Sequence, residues 1–258
     1  MKFFTAIFGN KAPSPTGFDD QLTIAEWPAA IYAIGDIHGC FDELLALEAL
    51  ILSDSTAPDG KKLIVTLGDY IDRGPNSAGV IDHLLRPLPE GFSRIALAGN
   101  HEEILLNAMS GVGYDAWLQL GGIETLRSYG IDPDVFRSAR SQQRQILLQS
   151  HVPEHHLEFL KNLAVSLQVQ QTVFVHAGIK RDRPMDRQEK SDMLWIRGEF
   201  LQADATDGLT VVHGHTPVEQ ADVRPGRIGI DTGAYATGRL TAVRLIPGSE
   251  PVFFTTAV

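Results

Sequence analysis

Short apolar runs alternate with stretches of helical spacing through the first hundred residues. Ile31-Tyr32-Ala33-Ile34 ends in Gly35-Asp36, and Asp42–Ile51 (DELLALEALI) then places apolar residues at helical intervals. Leu63–Leu67 (LIVTL) ends in Gly68-Asp69, Ala78–Leu85 reads as a helix, and Arg94–Ala98 (RIALA) ends in Gly99-Asn100-His101. The repeat is about 30 residues, the length of a strand–helix–strand unit. Runs that are apolar throughout, rather than at every second position, suit strands covered on both faces.

The middle of the chain differs. From Glu102 to about Leu163 only helical patterns occur, at Glu103–Met109, Ala116–Leu120, Ile123–Tyr129, Gln142–Ser150 and Glu154–Leu163. They predict a helical insertion over about 103–165 in an α/β core. Strand patterns return at Leu167–Gln170 and at Thr172–Val175, which runs into His176. Leu209–Val212 ends in His213-Gly214-His215. Arg227–Ile230, Leu240–Leu245 and Val252–Thr256 read as an antiparallel finish. Arg181–Asp192 (RDRPMDRQEKSD) is charged and apolar-poor, which predicts an exposed loop. Asn10–Thr16 is rich in Pro and small residues, so 1–22 is expected to be a flexible lead-in and 23–258 a single domain.

Composition narrows the function classes. A chain of 258 residues fits one large α/β domain. Its net charge of −10 argues against nucleic acid and anionic membrane surfaces as partners. A single cysteine, Cys40, excludes an internal disulfide and suits a reducing compartment. No apolar run is long enough to span a bilayer, and Met1–Phe8 is too short for a signal peptide. A cytoplasmic monomer is the expectation.

Five of the apolar strands end in groups suited to metal binding or acid–base chemistry: Asp36 and His38, Asp69, Asn100 and His101, His176, and His215. Ligands of open α/β sheets bind at the carboxyl ends of strands, so chain direction alone gathers these groups at one sheet edge. A mixed set of two Asp, one Asn and three His suits Mn, Fe or Zn and is too nitrogen-rich for Ca or Mg. Six ligands exceed the needs of one tetrahedral ion, which points to two divalent metals bridged by a carboxylate about 3.5–4 Å apart. Taken singly, Asp36 and Asp69 are equally good helix N-caps, and Asn100 a turn residue. His213 competes with His215. His83, His151, His155 and His156 are expected at surface or helix positions, Cys40 as a small buried residue, and Trp27, Trp117 and Trp195 as packing.

The motifs GDIHG (Gly35–Gly39), GDYIDRG (Gly68–Gly74), GNHE (Gly99–Glu102), HAG (His176–Gly178) and GHT (Gly214–Thr216) resemble, in this order, those of the calcineurin-like metallophosphoesterases. The likeness is strongest to the phosphoprotein phosphatase branch in its short bacterial and bacteriophage form, and it covers Tyr32–Val243. The resemblance implies a four-layer α/β sandwich with central mixed sheets flanked by helices. It implies that Asp36, His38 and Asp69 bind a first metal, manganese foremost, and that Asp69 bridges to a second held by Asn100, His176 and His215. By the same resemblance, His101 is the general acid and Asp72 orients it. Arg73, Arg197 (in WIRGEF) and Tyr235 (in DTGAY) then contact phosphate. The implied reaction is hydrolysis of phosphoserine or phosphothreonine in a phosphoprotein, or of a small phosphorylated substrate, by in-line attack of a metal-bridging hydroxide. The alternative is symmetrical diadenosine tetraphosphate hydrolysis. Enzymes of that type commonly carry a small residue in place of Asp72 and Asp in place of Glu102.

Overall fold

The computed structural model describes residues 21–204 and 208–256. Its strands, in chain order, are β1 (Gln21–Ile24), β2 (Ala30–Ile34), β3 (Lys62–Thr66), β4 (Phe92–Ala96), β5 (Ser166–Val169), β6 (Thr172–Val175), β7 (Thr210–His213), β8 (Asp222–Arg224), β9 (Arg227–Gly229), β10 (Thr241–Leu245) and β11 (Val252–Thr255). They form two mixed sheets, β11-β10-β2-β3-β4 and β1-β5-β6-β7-β9-β8. In the first, β2, β3 and β4 run parallel, and β10 and β11 close one edge antiparallel.

The period of two explains why the strands carry so few polar residues. In β2, Ile31 and Ala33 enter the apolar layer between the sheets, while Ala30, Tyr32 and Ile34 pack toward the helices. In β6, Phe174 faces the inter-sheet layer and Val173 and Val175 face outward. Both faces are covered, so both must be apolar. The two sheets meet at one edge, where Leu97 bridges Ala164 and the Ala98 N–H donates to Ala164 O at 2.8 Å.

The helices are α1 (Phe41–Leu52), α2 (Ser77–Leu84), α3 (Asn100–Met109), α4 (Tyr114–Trp117), α5 (Ile123–Ser128), α6 (Pro133–Ser138), α7 (Ser141–His151), α8 (Glu154–Lys161), α9 (Lys190–Trp195), α10 (Gly198–Gln202) and α11 (Ala234–Thr237). Helix α1 buries Leu44, Leu47, Glu48 and Ile51, the spacing of one helical face. Helices α3 to α8 run from Asn100 to Lys161, across the stretch whose patterns read as a helical insertion. Between α4 and α5 the chain kinks at Gly121 (φ 116°), whose carbonyl accepts from the Arg73 N–H at 3.1 Å. A Cβ there would lie 2.7 Å from Arg73 N, so the insertion touches the Asp72–Arg73 loop through a residue that must be glycine.

Several expectations change. Gln21 and Leu22, placed in the lead-in, begin β1, which pairs parallel with β5; residues 1–20 lie outside the described residues. Arg227–Gly229 does not join Leu240–Leu245 and Val252–Thr256 in an antiparallel finish; it lies in the other sheet, parallel to β7 and antiparallel to β8. The Arg181–Asp192 loop contains a 3₁₀ turn at Met185–Arg187 and the start of α9. There Gln188 is buried and bonds Lys180 and Arg183 backbone groups. One buried amide organises a segment whose composition reads as loop.

Candidate metal centre

The expected site residues lie at strand ends of both sheets rather than on one edge. Asp36, Asp69 and Asn100 follow β2, β3 and β4, while His176 and His215 follow β6 and β7. The carboxyl ends of the two sheets converge, and the His176 Nδ1–H ties them by donating to Leu67 O at 2.9 Å. Asp36, His38, Asp69, Asn100, His101, His176 and His215 are all nearly inaccessible to water.

The backbone here is held in a sparsely populated region. Among the described residues, six non-glycines have positive φ, and five of them are His38, Asp69, Asp72, Arg73 and His215. Such conformations persist only where surrounding contacts over-determine them. Glu102 provides some of these contacts. Its carboxylate accepts from the N–H groups of Asp69, Tyr70 and Gly99, each at 2.8 Å. Burial beside Asp69 pushes the Glu102 carboxyl up to about 8, against those donors.

Two clusters of ligand atoms share Asp69. In one, Asp69 Oδ2 lies 3.3 Å from His38 Nε2 and 3.9 Å from His101 Nε2. In the other, Asp69 Oδ1 lies 3.5 Å from His176 Nε2, and Asn100 Oδ1 lies 2.9 Å from His176 Nε2 and 3.0 Å from His215 Nδ1. Asp36 enters neither cluster; both its oxygens accept from the His215 N–H, at 3.1 and 3.0 Å.

This donor set fits cations. His38 and His176 spend their Nδ1 protons on the carbonyls of Ile71 and Leu67, which leaves each Nε2 as a lone pair. Burial lowers the pKa of His38 to about 3 and depresses those of His176 and His215 as well, so charge on these rings is disfavoured. Burial alone would raise Asp69, but the imidazoles of His176, His101 and His38 outweigh it and hold the carboxyl well below its ordinary range. Lone pairs of nitrogen, amide oxygen and carboxylate therefore face one another with too few protons among them, an arrangement that positive charge relieves. Asp36 is driven the other way, by burial and by the Asp231 and Asp69 carboxylates.

His101 is set apart by its partners. Its Nδ1–H donates to Asp72 Oδ2 at 2.7 Å. The fully buried Asp72 carboxylate also accepts from Trp117 Nε1 at 3.0 Å and from Thr125 Oγ1 at 2.6 Å. Burial disfavours charge on His101, but Asp69 and the hydrogen-bonded Asp72 prevail and raise its pKa. Arg73 donates from Nη1 to His38 Nε2 and from Nη2 to His101 Nε2, both at 3.0 Å, with its guanidinium 4.8 Å over the Tyr235 ring. Arg197 Nε donates to His215 Nε2 at 2.9 Å. Both arginines thus reach the centre, engaged with its histidines.

His213 turns away. Its Nδ1–H bonds Gly214 O at 3.0 Å, its ring stands edge-on to Phe200, and burial lowers its pKa to about 4. Cys40 is buried as expected. Trp117 is buried but contributes its N–H to Asp72, and Trp195 is exposed and donates to Glu103 at 2.9 Å. Sequence reasoning missed Asp231, a buried carboxylate that neighbours Asp36 and accepts from Gly233 N at 2.9 Å. Its place in DTGAY, two residues after a strand, carries the same strand-end signal as the expected site residues.

At the joined ends of the two sheets the fold gathers His and Asp groups suited to divalent metal, the donor set of a metal-dependent hydrolase. The chain belongs to the calcineurin-like phosphoesterase family, whose model matches residues 29–243. It is 28% identical over 230 residues to the asymmetrical bis(5'-nucleosyl)-tetraphosphatase PrpE of Anoxybacillus flavithermus, covering 82% of this chain and 88% of the relative. A crystal structure provisionally named as a diadenosine tetraphosphatase superimposes with a TM-score of 0.63 at 21% identity, over 93% of this chain and 98% of that one. A protein serine/threonine phosphatase from Saccharomyces cerevisiae superimposes with a TM-score of 0.55 at 15% identity, over 92% and 83%. No helix among the described residues is long and apolar enough to cross a membrane.

Proposed function

We propose that this protein is a phosphomonoesterase with a two-metal centre, acting on phosphoserine or phosphothreonine in proteins. Asp36, His38 and Asp69 would hold one metal, and Asp69, Asn100, His176 and His215 the other, with manganese the first choice. When bound, the metals supply Lewis acidity and the positive charge that a dianionic phosphate needs within a protein of net charge −10. Arg73 and Arg197 exchange their histidine contacts for phosphate oxygens, and Tyr235 floors the Arg73 guanidinium.

The observation that carries this reading is the Asp72–His101 pair. With Nδ1–H held by Asp72, and once Arg73 has turned from His101 to phosphate, the transferable proton of the imidazolium sits at Nε2. Cleaving a serine or threonine phosphate expels a strongly basic alkoxide, which must be protonated as it leaves. Cleaving a polyphosphate expels a weakly basic phosphate oxygen, which has little need of an acid. An oriented acid with a raised pKa therefore suits the alkyl monoester.

The second reading is hydrolysis of dinucleoside polyphosphates, favoured by the activity for which the tetraphosphatase relatives are named. The deciding experiment measures kcat/KM for a phosphothreonine peptide and for diadenosine tetraphosphate on Mn2+-loaded enzyme. Preference for the peptide supports the proposal, and preference for the dinucleotide reverses it. Turnover that survives exhaustive chelation would remove the two-metal centre from either reading.

A further inference from the structure

A second set of metal-binding side chains meets where α2 and α8 face each other. Asp82 stands on α2, and His155 and His156 lie in the first turn of α8. Asp82 Oδ1 is 3.0 Å from His156 Nε2 and 3.9 Å from His155 Nε2. The two rings stand edge to face with centroids 4.5 Å apart, and one ligand atom from each residue lies within 4.8 Å of the others. Around a tetrahedral zinc ion with bonds of 2.0–2.1 Å, neighbouring donors are about 3.4 Å apart. The two measured separations bracket that distance. A small rotation of His155, whose side chain is 61% exposed, closes the set.

The surroundings allow the exchange of a proton for a metal. His156 is buried, and burial lowers its pKa, which favours the neutral ring a metal requires. Its Nδ1 lies 2.9 Å from the Tyr129 hydroxyl, a group able to donate or accept. Without metal, Tyr129 O–H donates to Nδ1 while Nε2–H donates to Asp82. With metal on Nε2, the ring proton moves to Nδ1 and donates to the Tyr129 oxygen. The ring keeps a polar partner on each nitrogen, and no net proton leaves it. An outer partner that fixes ring orientation in this way is usual for ligating histidines. The exposed sides of Asp82 and His155 leave the fourth position to water, and two nitrogens with one carboxylate favour zinc over calcium or magnesium.

We propose that Asp82, His155 and His156 form a separate zinc site that clips α8, the last helix of the insertion, to α2. Helix α2 begins four residues after Arg73, so the bound ion braces the insertion against the segment that carries Asp72 and Arg73.

Zn2+ itself is the probe. Wild type, His155→Gln and Asp82→Asn are equilibrated against the same buffered Zn2+, assayed for metal per chain, and melted with and without the ion. Both altered side chains are more than half exposed, which protects the fold. Wild type should hold one more zinc per chain than either variant. At a hundredfold excess over Kd its zinc-induced rise in Tm should exceed theirs by about 5 °C. Equal zinc content and equal shifts in all three proteins overturn the site. Zinc taken up around Asp69 is common to the three and cancels from the comparison, whatever that centre does.

Discussion

Trp117 donates its indole N–H to the carboxylate of Asp72 at 3.0 Å. The insertion therefore reaches into the centre through a polar contact as well as by packing. Trp117→Phe keeps most of the apolar volume but leaves one buried acceptor position without its donor, at a cost of about 1–3 kcal/mol. Denaturant unfolding should show that loss, and turnover of an alkyl phosphate should fall while metal content stays unchanged.

His101→Asn separates the acid from the ligands. Turnover of a phosphothreonine peptide should drop by ~10²–10⁴-fold, with metal per chain unchanged. An aryl phosphate with a weakly basic leaving group should lose much less. Loss of metal in this variant would make His101 a ligand of the cluster that it borders with His38 and Asp69.

The pH profile should follow Asp72. Its charge helps raise the His101 pKa against burial, so the protonated acid persists to higher pH than an ordinary histidine. Activity is lost as pH rises through that value. Asp72→Asn removes the raising charge, and the alkaline limb of kcat should move to lower pH. A limb that stays in place would assign it to another group.

Gly214 is a steric requirement for Asp36. A Cβ on Gly214 would lie within van der Waals overlap of Asp36 Oδ1, at 1.9 Å. Gly214→Ala should displace the carboxylate, reduce metal content measured by elemental analysis, and lower activity in parallel. Full metal content in this variant would show that Asp36 is not required for binding.

Acid stability should report the Asp54 network, remote from the centre. Burial works against the Asp54 charge, but donors from Thr56, Tyr32 and Arg244 hold its carboxyl at about 2, below the ordinary 3.8. The folded state thus binds the proton less tightly than the unfolded chain. The stabilisation is complete above the unfolded value and disappears as pH falls through the folded one. Urea melts of wild type and Asp54→Asn should differ by a constant amount above about pH 5 and converge between about pH 4 and pH 2.

The strands most legible in the sequence are those buried on both faces. β2, β3 and β6 read as apolar runs because the inter-sheet layer and the helices each take alternate side chains. β1 was hidden because its Gln21-Leu22-Thr23-Ile24 alternation is only half-buried and follows a segment rich in Pro and small residues. β9 reads as part of the antiparallel finish with β10 and β11, since three residues carry no information about their partner strands. The residues that cluster at the centre are legible from their strand ends. The contacts that orient them are not: Trp117 and Asp72 are 45 residues apart, and His176 and Leu67 are 109 apart. The His215 N–H that both Asp36 oxygens accept from comes from the other sheet, and no local pattern reveals it.

The distance along the chain between Asp36 and His215 is 179 residues, and the two sheets they belong to are joined by the apolar layer between them, by the Leu97–Ala164 bridge and at their converging ends. Neither the first hundred residues nor the last hundred hold all six of the groups proposed to bind the two metals. A chain emerging in order from N- to C-terminus can form β2, β3 and β4 with Asp36, Asp69 and Asn100 in place, yet must wait for β6 and β7 to deliver His176 and His215. On the proposed function, catalytic competence waits for the second sheet, so fragments ending before β7 should lack activity.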